Sequence, residues 1–306
     1  MMKRCFLTGE YVFYATSRAN RPHSYKKIDV KTTPKQYCPF CLENQDMTPP
    51  LIYSTEDKSI RIVPNKYPFI ECTQEHYGIH DVVIDTAEHE ERLDCFTNEH
   101  IYKLMYVLKN RFIQLEKDKE CKFVQIFKNQ GVDAGASQSH SHWQITALCV
   151  VPPKMEHLCQ VLGDYYKNNN KCYYCNLDFG DRVVEESKHF IAYTPADAKF
   201  AYEMDILPKR HISSFKEFTD EELYDFGVIL KHSVKRLNKL YQGLCYNICF
   251  YSAPKGGEED KHFHFYAQIF PRIGHMAGFE FSTGCYINSV LPSVGAAKLR
   301  EVDIDE

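Results

Sequence analysis

A repeat with an offset of 122 residues constrains the fold of this chain more than any other feature of its sequence. Histidines recur at that offset in three pairs: His89 and His211, His140 and His262, and His142 and His264. A Phe-Thr pair stands seven residues after His89 and again seven residues after His211. One offset shared by several residues indicates two copies of one structural unit.

The sequence of each copy predicts strands, then one long helix, then further strands. Thr97 and Thr219 have the character of helix N-caps, and Thr219 with Glu222 fits a capping box. Apolar residues at helical spacing follow both caps, while "KFVQIFKN" and "YNICFY" are typical of strands. The predicted fold class is α+β, a duplicated unit with an antiparallel sheet and a long helix in each half. We place the halves at residues 1–166 and 167–306, because "KNNNKC" (167–172) marks the start of the second.

Composition excludes several classes of function. The net charge is -4 and the basic residues form no sustained patch, so nucleic acid is not an expected partner. The sequence has no apolar run that predicts a membrane span, and its N-terminus lacks the apolar region of a signal peptide. We therefore expect a cytoplasmic protein, in which the thirteen cysteines have no role as disulfides.

Two sets of metal ligands follow from the repeat. Each copy has a Cys-x-x-Cys pair, one histidine before the helix and another histidine 51 residues later. Two thiolates and two imidazoles form a closed tetrahedral set that suits structural zinc. One Cys-x-x-Cys pair alone could be a redox pair or an accident, but its recurrence favours metal. The two predicted zinc sites are Cys38, Cys41, His89 and His140, and Cys172, Cys175, His211 and His262.

His142 is the candidate nucleophile. It lies one pleat from His140 and shares its strand face with Gln144. A hydrogen-bonded core histidine is the usual explanation of such a residue, but these neighbours favour chemistry. A neutral imidazole can attack phosphorus, and the Gln144 amide could donate hydrogen bonds to phosphate oxygens. The second copy keeps His264 but has Tyr266 at the position expected for the amide, so we assign that copy a supporting role.

The segment before the nucleophile, "NQGVDAGASQS" (129–139), is rich in small residues that could cradle a phosphate. Together with "SHSHWQ", "CPFC", "RIVPNKYPF" (61–69) and "TGEYVFYATSRANRPH" (8–23), it resembles the galactose-1-phosphate uridylyltransferase family of the histidine-triad superfamily. The resemblance covers essentially the whole chain. It implies a histidine-triad-like fold in each half and a ping-pong reaction, in which a nucleotide sugar gives its nucleotidyl group to histidine and a phosphate acceptor then takes it.

The resemblance also implies roles for individual residues. His142 would carry the nucleotidyl group, and Gln144 would bind its phosphate. The implied substrate contacts are Arg18, Arg21, Asn65, Asn129 and Ser137. The expected partners are a nucleotide sugar and either a sugar 1-phosphate or inorganic phosphate, and the family's dimers make a second copy of the chain a further candidate.

The sequence departs from the family pattern at several positions. Ser141 replaces the central proline of the family's His-Pro-His, and the histidines of an iron site in the second half are replaced by Tyr251, Tyr266 and Gln268. The second Cys-x-x-Cys set and the tail "AGFEFSTGCYINSVLPSVGAAKLREV" (277–302) resemble a divergent branch that includes ADP-glucose phosphorylases.

Four functions remain open on this basis. Uridylyl transfer to a hexose 1-phosphate, as in galactose metabolism, is the leading expectation, and adenylyl transfer to inorganic phosphate is the first alternative. A histidine-triad nucleotide hydrolase is the second alternative, although Gln144 argues against it. A zinc-stabilised binding protein without activity is the third, although the presence of both His142 and Gln144 argues against it.

Overall fold

The computed structural model describes residues 1–20, 33–73, 77–257 and 261–304. Its strands are β1 (Met2–Arg4), β2 (Tyr11–Tyr14), β3 (Tyr53–Ser54), β4 (Arg61–Pro64), β5 (Gly78–Ile84), β6 (Phe123–Gln130), β7 (His142–Leu148), β8 (Val183–Glu186), β9 (Phe190–Tyr193), β10 (Met204–Pro208), β11 (Tyr246–Tyr251), β12 (Tyr266–Pro271) and β13 (Tyr286–Asn288). Its α-helices are α1 (Asn98–Glu116), α2 (Pro153–Asn169), α3 (Asp220–Leu240), α4 (Gly278–Thr283) and α5 (Pro292–Arg300). Within these ranges, no helix combines the length and the apolar character that crossing a bilayer requires.

Ten strands form one sheet in the order β3-β4-β5-β7-β6-β11-β12-β10-β9-β8. Every neighbouring pair in this sheet is antiparallel. The first five strands come from the first half of the chain and the last five from the second half. The halves meet where β6 pairs with β11, with Gln130 opposite Tyr246. This arrangement confirms the predicted α+β fold built from a duplicated unit.

Helices α1 and α3 cover one face of the sheet. Thr97 and Thr219 cap them as predicted, the second in a complete capping box. The buried apolar faces of the two helices pack against each other and against the sheet, where Trp143 lies in the same core. Because neighbouring residues of a strand point to opposite faces, His142 and Gln144 face the side away from these helices.

A smaller core covers the other face in the second half, where Leu158 and Leu162 of α2 share a cluster with Tyr251 and Tyr266. The predicted boundary at residues 166 and 167 falls inside α2 and stays a prediction. Strands β1, β2 and β13 form a separate three-stranded sheet, in which β13 runs parallel to β2. The C-terminal tail is thereby joined to the N-terminal strands.

The strand registers correct one detail of the repeat. Phe127 in β6 and Cys249 in β11 are related by the offset of 122, but Phe127 lies opposite Gln144 and Cys249 lies opposite Gln268. The two paired residues are 17 positions apart in the first half (144 − 127) and 19 in the second (268 − 249). The prediction that Tyr266 takes the position of the amide was therefore wrong, because the second connection is two residues longer. By register, the counterparts are His140 and His264, His142 and Tyr266, and Gln144 and Gln268.

Candidate functional site

The first Cys/His cluster brings together all four predicted ligands. Sγ of Cys38 lies 3.6 Å from Nδ1 of His140, and Sγ of Cys41 lies 3.2 Å from Nδ1 of His89. The four ligand atoms all lie within 4.8 Å of one another. His140 stands just before β7, so this cluster is attached directly to the strand that carries the candidate nucleophile.

The hydrogen bonds of Nε2 in His140 and His89 determine which nitrogen of each ring carries the proton. Nε2 of His140 lies 3.0 Å from the backbone oxygen of Thr86, and Nε2 of His89 lies 2.9 Å from that of Thr33. A backbone carbonyl only accepts hydrogen bonds, so each Nε2 carries the proton and each Nδ1 turns its lone pair toward the thiols. Two sulfurs and two imidazole nitrogens prepared in this way fit a tetrahedral ion such as zinc.

The second cluster brings together three of its four predicted ligands. The ligand atoms of Cys172, Cys175 and His211 lie within 4.8 Å of one another, and neither His262 nor His264 is part of this group. The ring of His262 lies instead beside Gly163 of α2. A hydrogen bond from Cys175 lowers the pKa of the Cys172 thiol, which favours the thiolate that a metal requires.

His264 lies closer to this cluster than the sequence predicted. Its ring centroid is 5.2 Å from that of His211. Nδ1–H donates to the backbone oxygen of Phe265 at 2.9 Å, so Nε2 carries the lone pair. That Nε2 is buried and has no hydrogen-bond partner among the residues that the structure describes. A buried imidazole nitrogen without a partner, next to three ligand residues, is suited to be the fourth ligand.

His142 opens strand β7 with an imidazole of defined tautomer. Its Nδ1 lies 2.9 Å from the backbone oxygen of His140, so Nδ1 carries the proton and Nε2 keeps the lone pair. Burial, followed by the positive charge of Lys128, lowers the pKa of His142 to about 4. The ring is therefore neutral near pH 7, and Nε2 is its nucleophilic atom.

A buried lysine holds the backbone next to His142. Nζ of Lys128 donates to Oδ2 of Asp85 at 2.8 Å, to Oγ of Ser141 at 2.7 Å and to the backbone oxygen of His142 at 3.1 Å. Oγ of Ser141 also donates to Oδ2 of Asp85 at 3.1 Å. The Lys128 and Asp85 side chains have no exposed surface. This network fixes the Ser141 side chain and the His142 carbonyl from the face of the sheet opposite to the imidazole.

The amide of Gln144 is oriented by a histidine on the neighbouring strand. Nε2–H of His80 donates to Oε1 of Gln144 at 2.8 Å. Nδ1 of His80 accepts from the backbone N–H of Phe69 at 3.5 Å, which leaves the ring proton on Nε2. Nδ2 of Asn65 lies beside the same ring, 3.4 Å from Nδ1 and 3.1 Å from Nε2. Burial lowers the pKa of His80, which keeps this ring neutral. With its oxygen occupied by His80, Gln144 presents its NH2 group as the donor.

The loop of residues 131–141, between β6 and β7, completes this region. Gly131 and Gly135 both have a φ of 83°, and a Cβ on Gly131 would lie 2.3 Å from Sγ of Cys245. Ser137 is exposed on the loop. Oγ of Ser139 is buried and has no partner within the described ranges, so it can donate to a bound ligand.

Among the remaining predicted contacts, Asn129 lies in β6 on the strand face that His142 and Gln144 share. Oδ1 of Asn129 accepts from Nδ2 of Asn247 at 2.7 Å across the central strand pair. Arg18 is exposed in a short 3-10 turn near the N-terminus. Arg21 lies outside the described residues.

Sequence reasoning missed three residues of this region: His80, Lys128 and Asp85. The pattern of β6 contained a signal, because Lys128 takes an inward position after Val124 and Ile126, and a buried cation requires a partner. His80 gave a weaker signal, as a polar residue in the apolar strand "GIHDVVI". Which partner each residue has depends on strand pairing, which the sequence alone does not give.

Comparisons with known proteins agree with this geometry. Residues 153–300 match the family described as Galactose-1-phosphate uridyl transferase, C-terminal domain, and residues 20–151 match the Domain of unknown function (DUF4931) N-terminal domain. The chain is 32% identical to ADP-glucose phosphorylase of Arabidopsis thaliana, over 97% of this chain and 92% of that protein. It is 29% identical to galactose-1-phosphate uridylyltransferase of Thermotoga maritima, over 98% and 97% respectively.

A solved structure is similar over the whole fold. The crystal structure of an ADP-glucose phosphorylase from Arabidopsis thaliana with bound ADP-glucose matches with a TM-score of 0.90 at 30% identity, covering 99% of both chains. The duplicated sheet, the buried neutral imidazole and these relatives define a nucleotidyltransferase, which confirms the prediction of an enzyme of this class. The chain belongs to the galactose-1-phosphate uridylyltransferase family, in the divergent branch that includes ADP-glucose phosphorylase.

Proposed function

We propose that this enzyme transfers a nucleotidyl group from a nucleotide sugar to a phosphate acceptor through His142. Nε2 attacks the phosphorus next to the nucleoside, and the bond from this phosphorus to the oxygen of the sugar 1-phosphate breaks. An oxygen of the acceptor phosphate then attacks the same phosphorus, and the N–P bond breaks to restore the imidazole. The observation that carries this proposal is the hydrogen bond from Nδ1–H of His142 to the His140 carbonyl, which leaves Nε2 as the attacking atom.

Neighbouring residues would stabilise the charge on the transferred phosphoryl group. The NH2 group of Gln144, held by His80, is a donor on the same strand face as the nucleophile. Ser139 offers an unpartnered hydroxyl. We assign the further substrate contacts predicted from the sequence, by resemblance, to Arg18, Arg21, Asn65, Asn129 and Ser137.

Adenylyl transfer to inorganic phosphate is the activity we would test first. The similarity to a structure described with bound ADP-glucose, at a TM-score of 0.90, favours it. Uridylyl transfer to a hexose 1-phosphate, the leading expectation from the sequence, stays as the second candidate because a galactose-1-phosphate uridylyltransferase is 29% identical over nearly the whole chain. Both reactions use the same nucleotidyl-histidine.

Intact-protein mass spectrometry tests the covalent step and the base together. The enzyme is mixed briefly with ADP-glucose or with UDP-glucose, without acceptor. An AMP or a UMP adduct on the enzyme, absent from His142→Ala, is the expected result and names the base. Release of free nucleoside monophosphate without an adduct would favour a hydrolase, and neither adduct nor product from either sugar would contradict the proposal.

We further propose two structural zinc ions, because both clusters bring sulfur and nitrogen donors together. Cys38, Cys41, His89 and His140 would hold the first. For the second, the sequence predicted His262 with Cys172, Cys175 and His211, whereas the unpartnered Nε2 supports His264 as the fourth ligand.

Metal analysis of two matched variants decides between these histidines. We expect His264→Ala to lose about one zinc ion per chain and to lower the melting temperature, because metal affinity is part of the free energy of folding. His262→Ala should keep both ions. The reverse result would restore the assignment made from the sequence.

Two broader expectations are kept as proposals. A homodimer is supported by the apolar surface of α4, where Phe281 is 75% exposed and Phe279 is 43% exposed. Light scattering of the purified protein, which measures its molar mass in solution, tests this proposal. A cytoplasmic location is supported by two Cys-x-x-Cys pairs that lie in the proposed metal sites, because thiols that serve as metal ligands are typical of a reducing compartment. Fractionation of expressing cells tests the location.

A further inference from the structure

A second cavity lies on the helical side of the molecule, away from His142. Its volume is about 760 Å³, within the range of small-molecule sites. The last three turns of α3 form one wall, and the turn from Arg92 to Asn98 forms the other. We call it the α3 cavity. Since α1 and α3 cover the sheet face opposite to the one that His142 uses, the α3 cavity is separate from the proposed active site.

Cations dominate the lining of the α3 cavity. Lys231, Lys235 and Lys239 follow one another at intervals of four, which places them on one side of α3. Arg92 faces them from the opposite wall, and Asp94 is the single carboxylate among the described residues of the lining. Nε of Arg92 and Oδ1 of Asp94 are 3.9 Å apart, so this pair is neutral overall and the lysine charges remain.

The lysines are held by neutral oxygens, not by carboxylates. Nζ of Lys231 donates to the backbone oxygen of Phe96 at 3.2 Å, and Nζ of Lys235 donates to that of Ile304 at 2.8 Å. Within the described ranges, no carboxylate oxygen comes within 4.0 Å of either Nζ. Burial, followed by the charge of Lys235, lowers the pKa of Lys231. Like charges four residues apart on a helix repel, and a bound anion would remove this cost.

The carboxylate of Asp94 offers an acceptor without a partner. Its Oδ1 is buried and makes no hydrogen bond with any residue that the structure describes. The guanidinium of Arg92 is fixed, because its Nη2 donates to Oδ1 of Asn238 and to the backbone oxygen of Leu244. A ligand that suits this lining needs an anionic group beside the cations and a hydroxyl for Asp94.

We propose that the α3 cavity is a second ligand site, which binds a small phosphorylated polyol. The phosphate lies between the lysines of α3 and Arg92, and a hydroxyl of the ligand donates to Asp94. The concave shape favours a small molecule over an extended polyanion, whose contacts follow a continuous basic surface. This site is independent of the nucleotidyl transfer proposed for His142.

Calorimetric titration with glycerol 3-phosphate tests the proposal, with inorganic phosphate and glycerol as comparison probes. The wild type should bind more than one equivalent of glycerol 3-phosphate per chain, because the proposed active site also accepts phosphate. Lys231→Ala/Lys235→Ala should lose one equivalent of bound glycerol 3-phosphate, or bind that equivalent at least ~10-fold more weakly. A tenfold loss of affinity corresponds to about 1.4 kcal/mol, which is expected for the loss of a charged hydrogen bond. Inorganic phosphate should bind more weakly, and glycerol should not bind.

The matched control removes two lysines elsewhere. Lys119→Ala/Lys167→Ala changes the net charge equally at positions that are 91% and 78% exposed, and it should bind like the wild type. Lys231→Arg/Lys235→Arg should restore the lost equivalent. Equal stoichiometry and affinity in the wild type and in Lys231→Ala/Lys235→Ala would overturn the proposal, as would equal losses in the control. Because the readout is binding and not turnover, either result leaves the test of His142 unaffected.

Discussion

The two halves of the sheet carry different side chains at equivalent registers. His142 in the first half corresponds to Tyr266 in the second, and Asn129 corresponds to Tyr251 by the offset of 122. The rings of Tyr251 and Tyr266 stack at 4.4 Å with an angle of 8° between their planes. Stacked aromatic rings thus fill the face that carries the nucleophile in the first half, so the second half has no place for the same chemistry.

The paired amides show the same difference. Gln144 accepts a hydrogen bond from His80 and keeps its NH2 group for a ligand. Gln268 uses its NH2 group internally, because Nε2 donates to Oε1 of Glu203 at 2.9 Å. The second half therefore kept the amide but turned it into a structural contact.

The face toward α1 and α3 differs as well. Lys128 and Ser141 form a buried polar network in the first half. Their counterparts by register, Phe250 and Phe265, pack edge to face with centroids 5.9 Å apart. The same scaffold therefore folds with an apolar pair at these positions. We infer that the lysine network serves the position of His142, since the fold does not require it.

Replacing the nucleophile should have the largest effect. His142→Ala should lower kcat by ~10⁴-fold or more, because no other group can form the covalent intermediate. Tyr266→Phe, at the equivalent position, should keep kcat within about twofold. Steady-state kinetics with ADP-glucose and phosphate, and with UDP-glucose and galactose 1-phosphate, measure both variants. Comparable losses in the two variants would mean that the halves share the chemistry.

Replacing the buried lysine separates stability from positioning. Lys128→Met should lower the free energy of unfolding by ~3–5 kcal/mol, because it leaves Asp85 as an unpaired buried charge. Lys128→Met/Asp85→Asn should recover much of that loss, as the apolar second half implies. The kcat of this double variant should stay low, because Ser141 and the His142 carbonyl have lost their hydrogen bonds from Lys128. Urea unfolding and kinetics measure the two quantities, and full recovery of kcat in the double variant would exclude a positioning role.

The histidine that orients the amide should have a smaller effect. His80→Ala should lower kcat by ~10²-fold with little change in KM, because Gln144 would lose its fixed orientation but keep its donor. His80→Gln, which can still donate to Oε1, should recover part of kcat. A change confined to KM would instead place His80 in substrate binding.

The sequence predicted the elements of this fold better than their pairing. Helix caps, apolar stripes and the duplication depend on local spacing, and all are confirmed in α1 and α3. The position of Tyr266 was mispredicted because one connection gained two residues, which only a strand register reveals. His80 could not be connected to Gln144 because the two residues are 64 positions apart in the sequence, and only the pairing of β5 with β7 brings them together.

Replacing Glu203, which accepts the hydrogen bond from Gln268 in the second half, should have the smallest effect of the changes considered. We expect that effect on stability and not on activity. Burial raises the pKa of Glu203 to about 7, above its ordinary value of about 4.3. Folding therefore favours the protonated carboxyl, and the wild type loses stability as the pH rises from about 4 through 7. Glu203→Gln cannot lose a proton, so it should match the stability of the wild type near pH 4 and be the more stable of the two proteins at pH 8. Thermal unfolding at both pH values measures this difference, and kcat should not change. A fall in kcat would show that the second half contributes to the reaction, and the contrast between the halves would then be one of degree.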